Sequence, residues 1–270
     1  MMRLEVDGRG VYAYTGTRGA DPELPAIVFV HGAANDHGVF ALQSRHFAWH
    51  GWNVLALDLP GHGHSEGPAL ASVVAIADWL FAVLDAAQAG RAILVGHSLG
   101  SLAVLECAAR RPDRVAKIAL LAPAVPMAVA DDLLAAAARD DHVAFELING
   151  WSFGPAAQLG GNRVPGMWML GNSLRLMERT TPGVLATDLA ACHRYADGLA
   201  AAAAVRCEGL VVVGGRDVMA PPRNARALID TLSRVQTLTL PGAGHALMTE
   251  EPDRVLDALA RFAGPARAAA

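Results

Sequence analysis

The sequence predicts an α/β fold: a mostly parallel sheet flanked by helices on both faces, interrupted in its second half by a helical insertion. Three observations predict it. Short runs that are apolar throughout, such as Ala26-Ile-Val-Phe-Val30, Asn53-Val-Leu-Ala-Leu57 and Ala92-Ile-Leu-Val95, alternate with longer segments of helical pattern. Strands without a polar side belong to parallel sheets covered on both faces. The interval from about Pro126 to Ala204 breaks the alternation, contains no convincing strand and reads as helices joined by loops such as Phe153-Gly-Pro155 and Gly160-Gly161. Finally, 270 residues at 53% hydrophobic suffice for a large core, because a chain this long buries roughly three quarters of its unfolded surface.

The elements follow in order. Pro25 bounds the first strand, Ala26 to Val30. Asp36 is placed to cap a helix that runs to about Trp49 and closes at Gly51. The second strand ends in the turn-rich Asp58-Leu-Pro-Gly-His-Gly-His-Ser65. Over Leu70 to Leu84 an apolar stretch is interrupted by Ser72 and Asp78, and Asp78 and Asp85 share one helical face, which predicts an amphipathic surface helix stopped at Gly90. The third strand runs directly into Gly96-His-Ser-Leu-Gly100, and the helix beginning there ends before Pro112. Ala116 to Leu121, Leu210 to Val213 and Gln236 to Leu240 are further strands, followed by a helix from about Pro252 to Phe262. The tail from Ala263 to Ala270 is expected to fray. We read 1–125 and 205–270 as a core domain and 126–204 as a cap over the carboxyl edge of the sheet.

Charge narrows the function. With 22 Lys and Arg against 26 Asp and Glu, the net charge is −4 and no basic run occurs, which argues against nucleic acid or an anionic membrane surface as partner. The segment Met1 to Gly19 carries Arg3, Glu5, Asp7, Arg9 and Arg18 and lacks the apolar stretch of a signal peptide. Ile118 to Ala130 is too short to span a bilayer and is broken by Pro123 and Pro126. The three cysteines, Cys107, Cys192 and Cys207, form neither a CxxC nor a zinc pattern. These features predict a soluble cytoplasmic protein with free thiols.

Parallel sheets bind ligands beyond the carboxyl ends of their strands. The third strand ends in G-x-S-x-G, whose sharp strand-to-helix turn exposes the Ser98 hydroxyl above the sheet. Asp217 follows the Leu210 to Val213 strand, and His245 follows the last strand in Pro241-Gly-Ala-Gly-His245. Singly, Asp217 also reads as a loop carboxylate beside Arg216, and His245 as a polar loop residue. Together they appear in the order nucleophile, acid, base. A serine hydroxyl needs a base within hydrogen-bond reach, and the histidine needs a carboxylate to fix its tautomer. His31-Gly32-Ala33-Ala34 ends the first apolar strand, so the Ala33 amide can pair with that of Leu99 as an oxyanion hole. His31 reads as a structural strand-end imidazole.

With His31-Gly32, Asp58-Leu-Pro-Gly-His-Gly-His-Ser65, Gly96-His-Ser-Leu-Gly100, Gly214-Gly-Arg-Asp217 and Gly242-Ala-Gly-His245, the chain resembles the α/β-hydrolase superfamily with a helical cap. The resemblance covers nearly the whole chain and is weakest in the cap. It implies an eight-stranded sheet, Ser98 as nucleophile, His245 as base, Asp217 as acid, and acyl hydrolysis without metal or organic cofactor. Haloalkane dehalogenases and epoxide hydrolases place aspartate at the elbow, where this chain has Ser98. Carbon–carbon hydrolases of ring-fission products often carry tryptophan beside the base, where Ala246 stands here.

The function expected is therefore hydrolysis of carboxylic esters with an apolar portion through an acyl-enzyme on Ser98. The rivals are a carbon–carbon hydrolase or lyase using the same residues, and a ligand-binding receptor on this fold. Because a histidine base must be neutral, acidification is expected to slow hydrolysis. His37, Trp151, Trp168, Met219 and Ala246 are expected to line the substrate pocket, and His142, His193 and Arg194 are candidates for contacting a polar substrate group. Within the cap, Phe153, Met167 and Met169 add apolar bulk, and methionine-rich walls adapt to several ligand shapes. His62, His64 and Glu66 lack a third ligand cluster, so loop packing is expected there rather than a metal. The partner expected is a small-molecule ester, and the assembly a monomer or homodimer.

Overall fold

The computed structural model describes residues 1–161 and 166–266. The tail expected to fray extends beyond them, and 267–270 lie outside the described residues. The chain opens with a hairpin, β1 (Met2–Val6) and β2 (Arg9–Tyr14). It turns at Asp7 and Gly8, both in the left-handed region at φ +50° and +73°, the backbone that a two-residue Asp-Gly hairpin turn requires. The apolar runs form β3 (Ala26–Val30), β4 (Asn53–Leu57), β5 (Ala92–His97), β6 (Val115–Leu121), β7 (Glu208–Gly214) and β8 (Val235–Leu240).

Among the described residues these eight strands pair in one sheet, in the order β1-β2-β4-β3-β5-β6-β7-β8. β3 to β8 run parallel, whereas β1 and β2 are antiparallel at one edge. In β3, Ile27 and Phe29 join the apolar cluster on one face of the sheet while Val28 and Val30 join that on the other. That alternation is why the strand shows no polar side.

The helices are α1 (Ala41–Trp49), α2 (Val73–Ala86), α3 (Leu99–Arg110), α4 (Asp131–Ala138), α5 (Val143–Ser152), α6 (Pro155–Gln158), α7 (Met169–Met177), α8 (Val184–Arg194), α9 (Gly198–Ala204), α10 (Arg226–Thr231), α11 (Leu247–Glu250) and α12 (Pro252–Ala263). No helix among the described residues is long and apolar enough to cross a membrane. Asp36 caps a short 3-10 turn, His37–Phe40, rather than α1 itself. Ser72 starts α2 instead of interrupting it, since its hydroxyl accepts the Ala75 N–H at 3.1 Å, a standard N-cap. Asp78 and Asp85 face outward and pair with Arg110 at 2.8 Å and Arg114 at 2.6 Å.

α4 to α9 lie between β6 and β7, with no strand among the described residues of that interval. α4, α5, α7 and α8 share one apolar cluster that also takes in Ala34, from the turn after β3. α9 packs instead against α3 and α10 in the layer beside the sheet.

Candidate active site

β3 and β5 are neighbours, but the chain leaves β3 for β4 on its other side, so the carboxyl ends of β3 and β5 flank a topological switch point, where parallel sheets open a crevice. Ser98 follows β5 with φ +52° and ψ −117°, a strained backbone for a non-glycine residue. The glycines on either side make it possible. A Cβ on Gly96 would stand 2.2 Å from the Gly100 carbonyl oxygen, and one on Gly100 would stand 2.3 Å from that of Val30. Leu99 begins α3, so its N–H lies in the unsatisfied first turn of a helix.

The turn after β3 lies against this elbow. A Cβ on Gly32 would meet the Cβ of Ser98 at 3.0 Å. Among the described residues, no protein acceptor takes the N–H of Ala33 or of Leu99. His31 is fully buried; its Nδ1–H donates to the Gly32 carbonyl at 2.8 Å and its Nε2 accepts the Leu59 N–H at 3.0 Å. It is held neutral by burial, pushed down to about 3.

Asp217 and His245 come from the loops after β7 and β8. Gly214 permits their approach, because a Cβ there would stand 2.0 Å from the Gly244 carbonyl oxygen. His245 Nδ1–H donates to Asp217 Oδ2 at 2.8 Å, and Asp217 Oδ1 accepts the N–H groups of Met219 and Ala220, each at 2.8 Å. Burial alone would raise the Asp217 carboxyl, but the His245 imidazole and these two amides outweigh it and hold it below the usual carboxylate range. With Nδ1 protonated towards a carboxylate, Nε2 is the nitrogen left to exchange protons.

Two residues with no signal in the sequence support this loop. Glu250, in α11, accepts the N–H of Gly154 through one carboxylate oxygen and that of Gly244 through the other, each at 2.8 Å. Ser152, at the end of α5, accepts the His245 and Ala246 N–H groups at 2.7 and 2.9 Å through its carbonyl.

Ser98 and His245 open into one cavity of about 600 Å³ between the sheet edge and α4, α5, α7 and α8. Trp151, Met219 and Ala246 line it, with Leu133, Ile148 and Met177. His37 and Trp168 do not. The His37 ring turns to Asp58 Oδ1 at 2.7 Å and lies between Tyr12 and Tyr14, on the hairpin side. Trp168 is 71% exposed and lies across Gly171, where a Cβ would stand 2.1 Å from its ring. The three polar candidates are engaged elsewhere: His142 with Glu178, His193 with the Val129 amide, and Arg194 with the Ala71 carbonyl.

Among the described residues Asp36, His37 and Asp58 bring metal-ligating atoms within 4.8 Å of one another, but internal hydrogen bonds to Gly38, His37 and His64 already use those carboxylates. His62 is buried as loop packing requires, yet it meets a partner that the sequence does not announce, Asp188 at 2.8 Å.

Residues 25–252 match the family model of the alpha/beta hydrolase fold. The chain belongs to this family. A pimeloyl-[acyl-carrier protein] methyl ester esterase of Xanthomonas campestris pv. campestris is 30% identical to the hydrolase over 252 residues, spanning 88% of this chain and 94% of its own. The protein of the same description from Neisseria meningitidis serogroup C is 32% identical over 227 residues, 82% of this chain and 86% of its own. Of solved structures, the enol-lactonase from Burkholderia xenovorans LB400 superposes with a TM-score of 0.84 at 23% identity over 97% of this chain and 99% of that one. A thermophilic esterase from Thermogutta terrifontis gives 0.82 at 20% identity over 97% of both chains. At such identities the structures speak for the fold alone. The eight-stranded, mostly parallel sheet expected from the resemblance is the sheet observed.

Proposed function

We propose that this hydrolase cleaves carboxylic esters with an apolar portion through an acyl-enzyme on Ser98. The observation that carries the reading is the 2.8 Å bond from His245 Nδ1 to Asp217 Oδ2, made at the wall of the cavity that Ser98 opens into. His245 removes the Ser98 proton as the oxygen attacks the ester carbonyl, and the N–H groups of Ala33 and Leu99 receive the oxyanion. His245 then returns the proton to the departing alcohol, leaving the acyl group on Ser98. Water enters, gives a proton to His245 and attacks the acyl carbon. The acid leaves, and the proton goes back to Ser98.

The substrate class follows from the walls. Leu133, Ile148 and Met177 give an apolar stretch of wall that suits an aliphatic acyl chain, beside lining residues that include Arg45, Asn172 and Ser173. By likeness to the esterases of Xanthomonas and Neisseria, a methyl ester of such a chain is the substrate to test first. The buried free thiols of Cys107, Cys192 and Cys207 fit work in a reducing cytoplasm.

Intact-protein mass after treatment with a fluorophosphonate tests the assignment. The expected result is one stoichiometric adduct on the wild type and none on Ser98→Ala, followed by turnover of a methyl-ester chain-length series. No adduct on the folded wild type, or one that persists in Ser98→Ala, would overturn it and bring the receptor reading forward.

A further inference from the structure

Ala34, the residue after the proposed donor Ala33, has left-handed backbone at φ +52°. Non-glycine residues keep that conformation only where their surroundings hold it. Here the hold comes from the helical insertion. The Ala34 N–H donates to Asp188 Oδ2 of α8 at 3.0 Å, and its carbonyl accepts the Thr180 hydroxyl at 3.4 Å. Its side chain packs among Leu133, Ile148, Met177 and Leu189 of the insertion.

Asp188 is fixed in turn by His62. The same Oδ2 accepts His62 Nε2–H at 2.8 Å, while His62 Nδ1–H donates to the Pro60 carbonyl at 3.1 Å. Both side chains are only 2% exposed. Each ring nitrogen of His62 faces an acceptor, an arrangement that favours the doubly protonated ring and its pairing with the Asp188 carboxylate. Burial alone would lower the His62 pKa, but the Asp188 carboxylate outweighs it and raises the ring above its ordinary value.

We propose that Asp188 is a positioning residue for ester hydrolysis: through Ala34 it holds the Ala33 N–H where the oxyanion forms, so that the hole is complete only when the insertion is seated. The proposal rests on the ester-hydrolase reading of the preceding subsection. It assigns a reason for a charged pair in an otherwise apolar junction. A carboxylate clamped by an imidazolium has one place to be, and it passes that place on to the turn. Ground-state affinity comes from the apolar cavity walls, which this network does not line, so its loss should appear in the chemical step.

The test compares wild type, Asp188→Ala and Asp188→Asn, the last keeping a carbonyl acceptor for Ala34. Measured on each are kcat and KM for a medium-chain methyl ester, inhibition by an alkyl boronic acid whose tetrahedral serine adduct places an anion in the hole, and thermal melting. Asp188→Ala should lose on the order of 10²-fold in kcat, the scale of one oxyanion donor, and lose boronate affinity in parallel, with KM within about threefold. Asp188→Asn should recover much of both. Unchanged kcat and boronate affinity, or a rise in KM that accounts for the whole loss, overturns the proposal. Should the alanine variant not fold, Asp188→Ser, whose hydroxyl is too short to reach the Ala34 N–H, takes its place: a fall in kcat and boronate affinity together supports positioning, and wild-type values overturn it. A wild type without a Ser98-dependent adduct removes the hydrolase reading and this proposal with it, whereas an active wild type with unaffected Asp188 variants removes the proposal alone.

Discussion

His97 is joined to His245 in the wall of the cavity: its Nε2–H donates to the His245 carbonyl oxygen at 3.0 Å, and the two rings lie 4.8 Å apart. The bond ties the elbow that presents Ser98 to the loop that carries the proposed base. It uses only the backbone of His245, so both nitrogens of that ring stay available for Asp217 and for proton transfer. Burial and the neighbouring His245 keep the His97 imidazole neutral, pushed down to about 3.

Acid lability follows from His97 and His31 together. Each is held neutral in the fold, pushed down to about 3 from an ordinary 6.5. The unfolded chain therefore takes up protons that the fold refuses once pH drops below 6.5. Their contribution is intact above that pH and is withdrawn progressively as pH falls towards 3. Melting temperature should decline across that window. His97→Gln keeps a donor for the His245 carbonyl and does not titrate, so its decline should be shallower; parallel curves for variant and wild type would exclude His97 as a cause.

Gly96→Ala tests the elbow without touching its chemistry. The added methyl would meet the Gly100 carbonyl at 2.2 Å, and backbone cannot rotate aside as a side chain does. We expect a loss of about 1–3 kcal/mol in chemical denaturation and a fall of about 10²-fold in kcat from the displaced Ser98. A variant with wild-type stability and rate would show the elbow to be more tolerant than its contacts imply.

Asp217→Asn leaves the space filled but removes the charge that orients the His245 ring. An amide can present N–H to Nδ1 and stabilise the wrong tautomer, so kcat should fall on the order of 10³–10⁴-fold while KM changes little. Steady-state kinetics against the methyl-ester series reads this directly. Less than tenfold loss would point to another carboxylate partner for His245.

Ile148→Phe narrows the cavity from the α5 side. Short esters should retain their kcat/KM, and long acyl chains should lose about tenfold or more, the scale of excluding one or two methylenes. Equal losses for all chain lengths would place the acyl group elsewhere.

Much of the framework was legible locally. β3 and β4 begin and end at the residues that the apolar runs predicted, because a strand buried on both faces writes its full length as apolar sequence. The N-terminal hairpin is not legible in the same way, although Asp7-Gly8 carries the turn signal: its strands mix Arg3, Glu5 and Arg9 with apolar residues and lack the apolar density of the others. Ser72 interrupts the apolar stretch in the sequence and caps the helix in the fold, because a cap and a break are the same polar residue until the helix axis is known. His37 lies just beyond the oxyanion turn in sequence and Trp168 belongs to the apolar bulk of the insertion, but packing against the hairpin and across Gly171 takes their side chains away from the pocket.

The sequence by itself determined the α/β alternation, the glycine-flanked elbow at Ser98 and the order Ser98, Asp217, His245, all carried by strand length and by the residues at strand ends. Only the tertiary structure decided that Asp188 meets His62 across 126 residues and that Glu250 meets Gly154 across 96. Such pairings have no period and no fixed spacing. They exist because the insertion packs over the sheet edge, and its seating, which depends on all the apolar contacts at once, brings these distant side chains together.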